Sequence, residues 1–168
     1  TEIDASNLIS LTSFFRNTLF FNRSNPKLGA DFNYIADGGK SFLSNGFDTR
    51  KRNEMGLRLR STPTRSVNVQ LTLNNGSKNY SSELFVQRNY LIKYLELLPE
   101  FNYQFTADFR LTLAATFAQQ NNATQYGGEK NTNVTLTTES RYNVLKKGVL
   151  TGKLSYINNK FTGNGNGT

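Results

Sequence analysis

The stretch "SVNVQLTLNNGSKNYSSELFVQ", residues 66–87, alternates apolar with polar side chains and thereby indicates the fold class. Every second residue of its first half is apolar: Val67, Val69, Leu71 and Leu73. This two-residue period is typical of a β-strand with unlike faces. Asn75-Gly76 is a favoured hairpin turn, so we predict a β-hairpin over this stretch. Its apolar face covers either a protein core or lipid, and its polar face meets either bulk water or a barrel interior.

The composition bounds the class of protein. The chain has 168 residues, which suffice for one domain with a sizeable core, and we treat 1–168 as a single domain. Hydrophobic residues make up 36%, and no stretch approaches the roughly 20 apolar residues of a membrane-spanning helix. A helical membrane protein is therefore excluded. A membrane barrel stays open, because its alternating strands average to a polar composition.

The chain contains neither cysteine nor histidine. Without cysteine it has no disulfides or thiolate metal sites, and without histidine it lacks the usual general base. Glu96 and Glu100 are four residues apart on a predicted strand, roughly 13 Å, which exceeds the carboxylate spacing of either glycosidase class. The sequence therefore predicts a protein that is not an enzyme and has no catalytic residues, cofactor or metal site.

The formal net charge is +8, but the basic residues are scattered along the chain. Only Arg50-Lys51-Arg52 and Lys146-Lys147 are adjacent, at predicted strand ends. Nucleic-acid binding needs a clustered basic patch, so we do not expect nucleic acid as a partner. Basic residues near the longer loops are candidates to contact lipopolysaccharide phosphates.

The same alternation recurs along the chain and predicts an all-β fold, an antiparallel up-and-down meander of about eight strands. Outside the hairpin, the predicted strands are 10–22, 27–37, 50–61, 109–118, 132–145 and 149–160. The second hairpin arm changes phase near 88–91. We interpret 79–105 as one long strand with a β-bulge, and the alternative is two strands joined by a turn at 88–90.

The predicted connections alternate in length. "RSNP", "STPT", "TAD" and "KKG" are tight, whereas "GGKSFLSNGFDTR", "NNGSK" and "QQNNATQYGGEKN" are longer. Short turns at one end and longer loops at the other are typical of outer-membrane barrels. Aromatic residues flank "TAD", as in the interfacial girdles of such barrels. The meander is therefore predicted to be part of a transmembrane β-barrel.

The alternation also assigns side chains to the two sides of that barrel. The residues predicted to face the lumen are polar: Arg58, Arg60, Glu96, Glu100, Arg110, Glu139 and Arg141. The residues predicted to face lipid or to form the aromatic girdle are Val67, Leu71, Phe101, Tyr103, Phe105, Phe109 and Phe117. The charged residues would suit a solvated sheet face equally well.

Several phrases carry a family resemblance: "FFRNTLFFNRSNPKLGADFNY", "SFLSNGFDTR", "ELLPEFNYQFTADFRLTLAATF" and "RYNVLKKGVLTGKLSYINNKF". They resemble the C-terminal, β-barrel-like region of large outer-membrane proteins of the Bacteroidota. The resemblance implies an outer-membrane location and a barrel closed by strands beyond Thr168, so we expect a segment of a longer chain. A terminal strand ending in an aromatic residue is absent here. No functional residues follow from the resemblance.

Three hypotheses of function result. The first is a non-enzymatic outer-membrane β-barrel protein, an anchor, scaffold or conduit in a cell-envelope assembly, with membrane lipid, lipopolysaccharide and other envelope proteins as partners. The second is a soluble, secreted β-sandwich that binds glycan or a protein through the loop aromatics Phe42, Phe47 and Tyr126. The third is a fibre or adhesin module assembled by strand addition.

Overall fold

The computed structural model describes residues 9–25, 27–43, 46–145 and 147–163. Eight antiparallel strands form one sheet, in which each strand pairs with its neighbours in chain order. The strands are β1 (Ile9–Phe21), β2 (Leu28–Leu43), β3 (Gly46–Thr64), β4 (Val67–Ser82), β5 (Tyr90–Gln104), β6 (Phe109–Asn122), β7 (Lys130–Val144) and β8 (Gly148–Thr162). The predicted all-β, up-and-down meander of eight strands is confirmed.

Within the described residues, helical structure is confined to two single turns of 3₁₀ helix, Val86–Arg88 and Thr124–Tyr126. Both lie in connections between strands. Across the described residues, no helix has the length and apolar character needed to cross a membrane.

β4 runs unbroken from Val67 to Ser82, so the predicted hairpin turn at Asn75-Gly76 is wrong. Asn75 pairs with Met55 of β3 on one side and with Leu95 of β5 on the other. The local turn preference of Asn-Gly competes with two rows of backbone hydrogen bonds, one to each neighbouring strand. The neighbours are long enough to pair along nearly the whole of β4, and the extended ladder prevails.

The predicted bulged strand 79–105 is also wrong. Two strands are observed, as in the alternative, but their connection lies at 83–89 instead of 88–90. The chain leaves the sheet after Ser82 and returns as β5 at Tyr90. Hydrogen bonds close the connection: the Ser82 N–H donates to Asn89 Oδ1 at 2.7 Å, and the Phe85 N–H donates to Ser82 Oγ at 3.0 Å. The change of phase near 88–91 therefore marks the start of a new strand.

The strands extend into several predicted connections. The predicted long loop 38–50 is wrong, because β2 continues to Leu43 and β3 begins at Gly46. The predicted loop 119–131 shortens to 123–129, and the turn placed at 61–64 lies at 65–66, after a register shift between Ser61 and Thr64.

We call the two ends of the sheet the turn end and the loop end. The turn end carries the connections 22–27, 65–66, 105–108 and 145–147. The loop end carries the connections 44–45, 83–89 and 123–129, of which 44–45 lies outside the described residues. The difference in loop length between the two ends is therefore smaller than predicted.

Candidate functional site

The strand register assigns each strand residue to one of two faces, because directly opposed residues of antiparallel strands point to the same side. We call the side that carries Leu71 the apolar face and the side that carries Thr72 the polar face. One complete row across the apolar face, from β1 to β8, is Leu19, Phe32, Leu57, Leu73, Leu97, Phe117, Val134 and Asn158.

The structure separates the two predicted sets of side chains. All residues predicted to face the lumen lie on the polar face: Arg58, Arg60, Glu96, Glu100, Arg110, Glu139 and Arg141. The apolar face carries Val67, Leu71, Phe101, Tyr103, Phe109 and Phe117. Phe105 lies beyond the end of β5, in the connection 105–108. The medium that each face meets stays a prediction.

Burial is greater on the polar face than on the apolar face. The buried residues of the described chain all lie on the polar face: Gly29, Asp31, Gly56, Ser82 and Tyr94. Many large side chains of the apolar face are exposed, Leu19 to 63%, and others, such as Leu73 and Leu97, are half-buried. A sheet of a water-soluble protein shows the opposite pattern, with its apolar face buried. Crowding on one side indicates that the sheet curls toward the polar face.

A three-residue row on the polar face is held together by a tyrosine. Glu54 of β3, Gly76 of β4 and Tyr94 of β5 lie directly opposite one another. Tyr94 extends over Gly76, and its hydroxyl donates to Glu54 Oε2 at 2.5 Å. Arg52 Nη2 donates to the same oxygen at 2.7 Å. We call Arg52, Glu54, Gly76 and Tyr94 the tyrosine clasp, which joins β3 to β5 across β4.

Gly76 is required in the tyrosine clasp for steric reasons. A Cβ atom added there would lie 2.6 Å from Tyr94 Oη and 2.6 Å from the carbonyl oxygen of Asn53. This role was not readable from the sequence, because the Asn75-Gly76 dipeptide predicts a turn there. No spacing within the sequence connects Glu54, Gly76 and Tyr94, which only the strand register brings together.

A second glycine accommodates an ion pair on the same face. Arg60 of β3 lies opposite Gly29 of β2, and a Cβ atom at Gly29 would approach Arg60 Nη2 to 2.8 Å. Arg60 Nη2 lies 3.6 Å from Asp31 Oδ1. Glycine thus leaves room for a long polar side chain to lie flat on the crowded side of the sheet.

The polar face carries charges of both signs. Its basic residues are Arg16, Arg50, Arg52, Arg58, Arg60, Lys78, Arg110, Arg141 and Lys153. Its acidic residues are Asp31, Asp37, Asp48, Glu54, Glu96, Glu100 and Glu139. This mixture favours water and polar solutes over hydrocarbon. Among the described residues, no group of three acidic side chains is placed to bind a metal ion.

An aromatic cluster occupies the turn end of the apolar face. It comprises Phe101, Tyr103, Phe105, Phe109 and Tyr142, from β5, β6, β7 and the connection 105–108. The ring centroids of successive members are 6.4, 4.3, 5.2 and 6.4 Å apart. The girdle residues Phe101, Tyr103, Phe105 and Phe109, which the sequence analysis singled out, therefore lie together in space.

At the loop end, the connection 123–129 is closed by Asn122. Asn122 Nδ2 donates to Glu129 Oε2 at 2.8 Å and to the carbonyl oxygen of Tyr126 at 2.7 Å. The hydrogen bond from Asn122 lowers the pKa of Glu129, because it favours the charged carboxylate. Glu129 is therefore an anion with a partner inside its own loop.

Comparison with known proteins gives no relative. No family model matches the chain, and neither a curated protein nor a solved structure matches it.

Proposed function

We propose that this chain is a non-enzymatic, membrane-spanning β-barrel segment of the bacterial outer membrane, which serves as an anchor, scaffold or conduit in a cell-envelope assembly. The observation that carries the proposal is the inverted burial of the sheet. The polar face is crowded and the apolar face is open. Lipid accepts an outward apolar face, and water fills the polar interior.

The size of the open apolar face supports lipid as its surroundings. Exposed side chains on this face include Leu19, Phe32, Met55, Phe101, Leu113, Phe117, Leu136 and Leu154. Covering one such side chain stabilises a protein by about 1.5–3 kcal/mol. Soluble monomers rarely expose an apolar patch larger than a few hundred Å². The described strands form one sheet, so no second layer of these residues covers the face.

The height of the apolar region also supports the proposal. On the apolar face, β5 carries only apolar or aromatic side chains from Leu95 to Tyr103. The same holds for β6 from Phe109 to Phe117. Eight residue steps rise about 26 Å along a strand, and a tilt of about 40° reduces this to about 20 Å along the membrane normal. Apolar bands of outer-membrane barrels are about 25 Å tall. Barrel closure would join the free edges of β1 and β8, directly or through additional strands.

A glycan-binding sandwich has less support. The described strands form one sheet rather than two packed sheets. Phe42 and Phe47, which the sequence analysis placed in a loop, are paired strand residues of β2 and β3. We therefore propose no second function.

Partition between buffer and detergent micelles tests the proposal, with circular dichroism on both fractions. We expect β-structure in detergent and aggregated or unfolded chain in buffer, because water cannot cover the apolar face. A monomeric, β-rich species in plain buffer would contradict the proposal. The apolar face would then be a protein core.

A further inference from the structure

Five lysines lie on the apolar face. They are closer to the loop end of the sheet than the main apolar region of that face is. We call them the lysine belt: Lys40, Lys51, Lys93, Lys130 and Lys160. Within the described strands, the apolar face carries no other charged residue, neither an acidic residue nor an arginine. The positive charge of the apolar face is thus confined to one zone.

The register places the lysine belt along one slanted line. Lys93 and Lys130 share a row through Asn121. Relative to that row, Lys51 and Lys40 lie two and four residues nearer the loop end, and Lys160 lies two residues nearer the turn end. In a barrel whose strands tilt by about 36–45°, residues at the same height on neighbouring strands are offset by about one residue from the directly paired position. From β2 to β8 there are six strand steps, and the offset of the lysines changes by six residues. The five lysines would therefore lie at about the same height in a barrel.

The distance from the lysine belt to the aromatic cluster matches a membrane. Lys93 and Tyr103 are ten residues apart on β5, and Lys130 and Tyr142 are twelve apart on β7. These separations span about 33–40 Å along the strand and about 25–30 Å along the normal at a tilt of about 40°. With the aromatic cluster at one interface, the lysine ammonium groups reach the lipid headgroups of the opposite leaflet.

The lysine belt has no counter-charge on its own face. The two ion pairs among the described residues, Arg52–Glu54 and Arg60–Asp31, do not include a lysine. Four belt lysines are exposed, and Lys40 is half-buried with its Nζ 3.7 Å from the Phe47 ring centroid. Two of the three strands without a belt lysine place further amide donors beside the belt, Asn79 on β4 and Asn121 on β6. Glu129, which directly precedes Lys130 in the chain, accepts a hydrogen bond from Asn122.

We propose that the lysine belt binds the phosphate groups of membrane lipids, whose acyl chains lie against the adjacent apolar side chains. The proposal rests on the proposed membrane insertion and deepens it by naming the ligand class and the end of the sheet that meets it. Lysine suits this role, because its flexible stem lies along apolar surface while its ammonium group reaches the headgroup layer. The occupant is a phosphate carried by a lipid, because the apolar face continues directly beneath the ammonium groups.

Native mass spectrometry of the detergent-solubilised chain tests the proposal. The probe is phosphatidic acid, and diacylglycerol with the same acyl chains is the matched lipid without phosphate. The test variant replaces all five belt lysines by glutamine (K40Q, K51Q, K93Q, K130Q and K160Q). The control variant removes the same charge from the polar face (R16Q, R58Q, R110Q, R141Q and K153Q), which points away from lipid in the proposed barrel. Circular dichroism in detergent establishes that each variant is folded.

We expect the parent and the control to retain phosphatidic acid but not diacylglycerol. Each basic residue near an anionic lipid surface contributes roughly fivefold in affinity, so the test variant should lose at least about a hundredfold. Equal retention by the test and control variants would overturn the proposal, as would equal retention of diacylglycerol. Displacement by inorganic phosphate at the same concentration as phosphatidic acid would show a free-ion site and also overturn it. A parent that folds in buffer would instead overturn the membrane proposal itself.

Discussion

At the scale of single residues, the tyrosine clasp shows why a glycine stands in the middle of a central strand. Glycine in a strand interior costs roughly 0.5–1 kcal/mol relative to alanine. At Gly76 the absent side chain lets Tyr94 reach Glu54 across β4. A hydrogen bond to a charged acceptor contributes about 1.5–3 kcal/mol, which offsets that cost.

We predict that Gly76→Ala destabilises the folded chain by about 1–3 kcal/mol, because the added methyl group would overlap Tyr94 Oη and the Asn53 carbonyl oxygen. Urea unfolding in detergent micelles measures the free energy of unfolding. Gly39→Ala is the matched control, since its added Cβ would have its nearest neighbours at 3.9 Å. Equal stability of the two variants would show that the clasp is not closed in solution.

At the scale of elements, pairing along the whole strand decides where β4 ends. The residues 74–79, "NNGSKN", contain a strong turn dipeptide and no large apolar side chain. They nevertheless pair on both sides, with β3 and with β5. The chain turns instead at 83–89, where Ser82 and Asn89 supply the hydrogen bonds of a compact connection.

We predict that inserting Gly-Ser-Gly between Asn75 and Gly76 prevents folding or lowers stability by several kcal/mol, because it shifts half of β4 out of register with both neighbours. The same insertion between Gln87 and Arg88, in the connection 83–89, should cost less than about 1 kcal/mol. Circular dichroism and urea unfolding in micelles compare the two. Tolerance at Asn75 would support the hairpin turn that the structure lacks.

At the scale of the whole molecule, one face of the sheet carries many exposed apolar side chains, and the buried residues of the described chain lie on the other, polar face. The sequence lacks cysteine, so a single cysteine substitution introduces one site for a spin label. Residues 67–73 of β4 alternate between the two faces and lie in a central strand.

We predict that spin labels at successive positions from Val67 to Leu73, in lipid vesicles, alternate in their accessibility. Oxygen should relax the labels at Val67, Val69, Leu71 and Leu73 most strongly, because it concentrates in lipid. A water-soluble nickel chelate should act most strongly at Asn68, Gln70 and Thr72. A label at Ala107, in the exposed turn 105–108, is the aqueous reference. Uniform accessibility to the chelate would place both faces in water.

The sequence by itself determined the all-β class, the number of strands and the partition of side chains between two faces. These properties follow from a two-residue period, which is local to each strand and needs no knowledge of its neighbours. The separation of Arg58, Glu100 and Arg141 from Val67, Phe101 and Phe117 was readable for that reason.

Only the tertiary structure decided where the strands end and which residues meet. The ends of β2, β3 and β4 depend on backbone hydrogen bonds to neighbouring strands, which outweigh the local turn preference of Asn-Gly. The tyrosine clasp joins residues from three strands, and the lysine belt joins residues from five. Register relates such distant positions, and it is set by pairing across the whole sheet rather than by any short stretch of chain.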